Sequence, residues 1–120
     1  DNSFNVVICN HVLEHVEDSH KVMTEFYRVM KPGGWGIFQV PIDVNNPKTE
    51  EDKSVTDPTE RERLYWQDDH LRLFGLDYGK KLEAAGFKVT ESNFINELDP
   101  KLVERYALPK DEIVYFCEKI

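Results

Sequence analysis

Within the first forty residues the hydrophobic pattern changes period twice, and this constrains the fold more than any other feature of the chain. Phe4 to Cys9 reads Phe-Asn-Val-Val-Ile-Cys, with a β-branched centre and little alternation, as expected of a strand covered on both faces in a parallel sheet. Polar Asn10 and His11 end it. From Asp18 the apolar residues Val22, Met23, Phe26, Val29 and Met30 recur at three- and four-residue spacing. That spacing predicts a helix with one face on a sheet, and Lys31-Pro32-Gly33-Gly34 predicts its stop. Trp35 to Val40 then predicts a second strand, closed by Pro41. Strand, helix and strand in this order imply a right-handed parallel crossover, and so an α/β fold.

The segment from Asp43 to Asp57 (DVNNPKTEEDKSVTD) has almost nothing to bury, which predicts a mobile excursion reaching to about residue 67. Asp57-Pro58 has the form of an N-cap and first turn, opening a short helix toward Leu64 and Tyr65. A further helix is expected from about Gly75 to Ala85, with Gly86 as its C-cap, followed by a strand from Phe87 to Asn93. Leu98 to Leu108 reads as a helical turn or two after Pro100, and Glu112 to Ile120, with its Ile-Val-Tyr-Phe-Cys run, as a last strand.

A length of 120 residues leaves room for one small domain, residues 1–120. The formal charge of -8 opposes the phosphate neutralisation on which nucleic-acid binding depends, so no nucleic-acid partner is expected. No apolar run is long enough to span a bilayer, and Asp1-Asn2-Ser3 lacks the character of a signal peptide, so no membrane partner is expected either. Cys9 and Cys117 lie in strand-like runs where a thiol behaves as a small hydrophobe, which points to a reducing, cytoplasmic setting.

The order of features resembles the second half of the class I, Rossmann-like, S-adenosylmethionine-dependent methyltransferases. The residues that carry the resemblance are the acidic turn Asp1 to Ser3, the strand Phe4 to Cys9, His11-Val-Leu-Glu-His15-Val, Asp18, the amphipathic helix, Arg28-Val-Met-Lys-Pro-Gly-Gly34 and the following strand. Ala84-Ala85-Gly86-Phe87 matches the turn before that family's sixth strand. The resemblance implies a partial Rossmann-like sheet of strands four to seven with flanking helices, the last strand antiparallel to its neighbours. It implies S-adenosylmethionine as cofactor and a small molecule as methyl acceptor. Nothing in these residues matches the family's first strand and glycine-rich turn, and Gly33-Gly34 follows a helix rather than preceding one, so these 120 residues alone are not expected to hold the cofactor tightly. The resemblance also makes Phe4 to Cys9 a central strand whose neighbours on one side are lacking here. An exposed edge, and a symmetric homodimer through residues 4–9, are therefore expected.

Ligands of open α/β sheets sit beyond the carboxyl ends of the strands, where Cys9, Asn10 and His11 fall. By the resemblance, the backbone of these three lies beside the methionine part of the cofactor. If residues 12–16 are helical, His11, Glu14 and His15 share a face, and the resemblance makes Glu14 a neighbour of the transferred methyl in some relatives. A base near neutral pH is available in His11, His15 or His70. In the alternative reading His15 merely packs and Glu14 is solvated. Trp66, Asp69, His70 and Arg72 are candidates for acceptor binding or proton removal, against the plainer readings of an Asp69–Arg72 surface ion pair and of Tyr65 and Trp66 capping the core. His11-x-x-Glu14-His15 also has the letters of an inverted zinc-protease motif, but that motif needs a long helix and a further acidic ligand. No metal is therefore expected. A non-catalytic α/β module or pseudoenzyme is the competing functional class.

Overall fold

The computed structural model describes residues Asp1–Ile120. Its elements run β1 (Phe4–Asn10), α1 (Ser19–Val29), β2 (Met30–Gln39), α2 (Pro58–Tyr65), α3 (Tyr78–Ala84), β3 (Lys88–Ser92), α4 (Phe94–Glu97), α5 (Pro100–Arg105) and β4 (Val114–Glu118). One sheet holds all four strands in the order β1-β2-β4-β3, with β1 and β2 parallel and β4 antiparallel to both its neighbours.

Three of the five helix starts, those of α1, α2 and α5, follow from a side-chain cap. The carboxylate of Asp18 accepts from the backbone N–H of Lys21, that of Asp57 from Glu60, and that of Asp99 from Lys101, with Pro58 and Pro100 at the first helical turns. The expected stop of α1 at Lys31–Gly34 comes one residue early: Met30 is already extended, and residues 31–34 belong to β2. The cause is local, because a residue before proline is driven out of the helical region, which places Lys31 in extended backbone. The pairing then slips, Phe4 facing Met30 but Val6 facing Trp35, so the Lys-Pro-Gly-Gly stretch bulges out of the ladder. Glycine is needed there: Gly33 has φ +81, and a side chain on Gly34 would lie 2.8 Å from the Asn5 carbonyl oxygen.

Alternation along β2 sends Phe38 and Val40 to the face that α1 and α3 cover. There they join Met23, Leu82, Phe87, Tyr115 and Cys117 in the core. Phe38 stacks on Phe26 at 5.0 Å, and Tyr78 meets both Phe74 and Tyr115 edge-on. Burial holds these groups neutral: it raises Tyr78, lifts the Cys117 thiol to about 12 and lifts Tyr115 to about 12. The opposite face carries Val6, Ile8, Trp35 and Phe116 and is more open.

The polar stretch over 43–57 has definite anchors. Thr49 donates its N–H and hydroxyl to Asp77, Glu50 and Leu73 exchange backbone bonds at 2.9 Å, and Asp52 N–H donates to the Tyr65 hydroxyl. Backbone and side-chain hydrogen bonds thus take the place of apolar burial in holding this segment to the fold.

Candidate active site

At its carboxyl end β1 pairs Asn10 with Gln39, and His11 N–H then donates to the Gln39 carbonyl at 2.8 Å. His11 takes a left-handed conformation, φ 56, which turns the chain sharply off the sheet. Residues 12–16 form turns rather than the helix that the spacing allowed, with a single bond from His15 N–H to the Val12 carbonyl. The segment is fixed from outside: Leu71 N–H donates to the Glu14 carbonyl, and the Arg72 guanidinium donates to the carbonyls of Leu13 at 2.6 Å and Glu17 at 2.9 Å. These bonds hold the two loops, 11–17 and 66–72, against each other.

The turn nevertheless brings His11 and His15 to Glu14. The His15 Nε2 lies 3.5 Å from a Glu14 carboxylate oxygen and the His11 Nδ1 3.9 Å from the same atom. Glu14 is not solvated: its side chain is 2 % exposed, and neither carboxylate oxygen has a hydrogen-bond partner. A buried carboxylate without donors is costly, so its retention marks a group placed for something other than packing. Its negative charge, after burial itself, is what pushes the nearby Cys9 thiol up.

From the second loop comes His70, 3 % exposed, with Nδ1 at 2.8 Å from the Tyr65 carbonyl oxygen. Its ring meets that of His15 edge-on at 4.7 Å. Asp69 is exposed and faces His15 Nδ1 at 3.5 Å. The expected Asp69–Arg72 pair is therefore not formed. Arg72 is 2 % exposed, and its carboxylate partner is Glu51, in the polar stretch. Arg72 thus serves as a clamp between loops, its guanidinium committed to two carbonyls and a carboxylate. Trp66 caps α2 in a left-handed conformation, φ 76, and stands half exposed rather than closing the core; Tyr65 is the buried one.

Two hollows flank the cluster. One of about 270 Å³ is lined by His11, Gln39, Ile42, Val44, Trp66 and Tyr115, at the carboxyl ends of the strands. The other, about 330 Å³, is lined by His15, Glu51, Asp52, Arg61 and Arg72. A wider hollow of about 760 Å³ between α4 and α5 holds none of the candidate residues and lacks any convergent polar cluster. Sequence reading passed over Glu51, whose part appears only through its contact with Arg72, distant in sequence. It also passed over Gln39, which donates to the Ile113 carbonyl, accepts from Tyr115 N–H and so fixes the strand ends beneath the first hollow.

Residues 1–92 match a methyltransferase domain family, and the chain belongs to it. No curated protein matches the sequence significantly. Among solved structures, a Haloferax volcanii complex between the Trm112 methyltransferase activator and a chain assigned as a methyltransferase is similar at 19 % identity. That match has a TM-score of 0.58 and covers 99 % of this chain and 55 % of the other. A Thermotoga maritima S-adenosylmethionine-dependent methyltransferase matches at 18 % identity and TM-score 0.55, over 100 % of this chain and 58 % of that one. Haemonchus contortus phosphoethanolamine N-methyltransferase 2, solved with S-adenosyl-L-methionine, matches at 17 % identity and TM-score 0.54, over 98 % and 34 %. The chain thus spans little more than half the length of the first of these structures, and at such identities the likeness concerns the fold. The observed sheet, three strands in one sense order broken by an antiparallel last strand, is the partial Rossmann-like α/β sheet that the resemblance implied. No helix is long and apolar enough to cross a membrane.

Proposed function

We propose that the protein takes part in methyl transfer from S-adenosylmethionine to a small-molecule acceptor, with the loops beyond β1 as the transfer site. The observation that carries this reading is Glu14, buried without hydrogen-bond donors among three imidazoles at the carboxyl end of a strand, in a chain of the methyltransferase family. The backbone at Cys9, Asn10 and His11 lies on the cofactor side. Trp66 and His11 line the hollow in which an acceptor would lie, with the carboxylates of Glu14 and Asp69 on either side of the His15 imidazole. In the reaction an acceptor oxygen, nitrogen or carbon attacks the sulfonium methyl in line. The new bond to carbon forms as the carbon–sulfur bond breaks, S-adenosylhomocysteine departs, and a proton lost by the acceptor passes to a polar group of this cluster. Arg72 serves by holding the two loops in register rather than by touching an acceptor.

Two free thiols favour a reducing, cytoplasmic setting. A charge of -8 favours small molecules over nucleic acid as the acceptor. The test is to supply S-adenosylmethionine with fractionated metabolite pools and follow S-adenosylhomocysteine by mass spectrometry. Acceptor-dependent product that Glu14→Gln abolishes supports the reading; no such product from any pool, even once a chain carrying the glycine-rich turn completes the cofactor site, moves the protein to the non-catalytic class. That second class draws its support from the lack of a glycine-rich turn in these residues.

A further inference from the structure

We propose that Glu14, His15 and His70 bind one borderline divalent cation of the zinc class. One carboxylate oxygen and two imidazole nitrogens lie within 4.8 Å of one another, a donor set that suits zinc and its first-row neighbours. The spacing alone is weak ground, since such groups often gather without an ion. Three further features give it direction.

The first is the unpartnered carboxylate. Both Glu14 oxygens are buried and accept no hydrogen bond, and the imidazole nitrogens beside them stand at 3.5 and 3.9 Å, beyond good hydrogen-bond length. A cation between these groups supplies the missing charge. The second is the tautomer of His70. Its Nδ1 is 2.8 Å from the Tyr65 carbonyl, which can only accept, so the proton sits on Nδ1 and the Nε2 lone pair is free for a ligand. The third is the placement of the other imidazole: His15 Nε2 is directed to Glu14, while Asp69 stands 3.5 Å from Nδ1 as a neighbouring charge. An imidazole tied at one nitrogen by a carbonyl and open at the other, as His70 is, is the usual setting of a metal-ligating histidine.

The geometry needs only modest closure. Donors about 2.1 Å from a tetrahedral ion sit about 3.4 Å apart, so the donors draw in by about an ångström, within the reach of side-chain torsions. The backbone is already fixed, since Leu71 N–H bonds the Glu14 carbonyl and so joins the loops that carry the three ligands. His11 stands open to solvent, its side chain 62 % exposed, and it can turn in as a fourth ligand or leave that position to water or to an acceptor oxygen. The adjacent hollow balances Glu17, Glu51 and Asp52 against Lys53, Arg61 and Arg72, so the attraction for a cation rests on Glu14 itself. A protease-type helix is not required, because the third ligand comes from a loop far along the chain. The ion would lie at the acceptor end of the proposed transfer site, yet the inference concerns binding alone and does not depend on methyl transfer.

The experiment is a titration of chelator-treated protein with cobalt(II), read by visible absorption and followed by displacement with zinc(II). One cobalt per chain, with ligand-field bands that zinc abolishes, is the expected result. Glu14→Gln and His70→Ala should each weaken binding by more than tenfold, and Asp69→Asn by less, through the lost charge beside His15, while His20→Ala on α1 changes nothing. If His70→Ala fails to fold by circular dichroism, His15→Gln, at a side chain already 33 % exposed, gives the same readout. No saturable spectrum, or a spectrum unchanged by Glu14→Gln and His15→Gln, overturns the proposal. A methyl-transfer assay that fails while cobalt still binds leaves this inference standing and removes only the reaction.

Discussion

Two buried charges sit in the same pair of loops and are treated in opposite ways. Arg72 has each nitrogen of its guanidinium answered, by the carbonyls of Leu13 and Glu17 and the carboxylate of Glu51. Glu14 has neither oxygen answered. Both are 2 % exposed, so desolvation does not distinguish them. The difference is between a charge that joins parts of the fold and a charge held ready for something the folded chain does not supply. A satisfied buried ion is compatible with a purely structural part; an orphaned one invites a ligand, a proton or a reacting group.

The sharpest way to break this comparison is to remove each charge in turn. Arg72→Met deletes three donated bonds and leaves Glu51 and two carbonyls without partners, and we expect it to cost roughly 3 kcal/mol in denaturant unfolding. Glu14→Gln removes an uncompensated charge while keeping the shape, and in the presence of a chelator we expect it to stabilise the protein by about 1 kcal/mol. A loss of stability in Glu14→Gln equal to that of Arg72→Met would mean that the carboxylate is satisfied in solution and would end the distinction. Function should run the other way, lost outright in Glu14→Gln.

The apolar side of the molecule sharpens the same contrast, because there the buried ionisable groups are simply kept neutral. Burial lifts Cys117 from an ordinary value near 9.0 to about 12. Below the ordinary value both folded and unfolded chains keep the proton, so the full stability is present. As pH rises past it the unfolded chain loses the thiol proton first, and stability falls progressively until the folded chain ionises as well. Denaturant midpoints should therefore decline from about pH 9 upward, and Cys117→Ala should flatten part of that decline. A slope unchanged by Cys117→Ala would place the lost protons elsewhere, with Tyr115, also raised to about 12, the next to examine.

How much of this was legible beforehand depends on the range of the contacts involved. The crossover of β1, α1 and β2 could be read because period and capping are local, and Asp18, Pro58 and Gly86 each signal through their near neighbours. The Lys31–Gly34 bulge was read only as a helix stop, since its pairing with Asn5 is a matter of register rather than composition. His11, Glu14 and His15 could be grouped by spacing, though through the wrong local structure, a helix where the chain makes turns. His70 joined them only in three dimensions, across more than fifty residues, and nothing local marks Glu51 as the partner of Arg72. The polar stretch shows the converse limit, for its composition speaks of mobility while Thr49, Glu50 and Asp52 bond to the body of the fold. We expect amide exchange to divide it, slow at Thr49, Glu50 and Asp52 and fast from Lys53 to Thr56. Uniformly fast exchange would restore mobility to the whole stretch.

The smallest effect on folding, but a clear one on association, is expected at the outer strand. β1 ends the sheet, and only one of its edges is paired, with β2. Along it Phe4, Val6 and Ile8 are exposed, Ile8 at 61 %, and Asn5 is the one polar residue among the strand's interior positions. Natural edges are usually blunted by charge, proline or a covering element, and nothing of that kind lies within residues 4–9. A two-fold axis alongside would pair β1 antiparallel with its copy, joining two four-stranded sheets into one and extending the open apolar face across the junction. Sedimentation should then show a monomer–dimer equilibrium that shifts with concentration. Ile8→Lys places a charge on that face next to its symmetry mate and should push the equilibrium to monomer with little change in unfolding free energy, because the side chain is already solvated. A concentration-independent monomer mass for the unaltered chain would show that the edge remains unpaired.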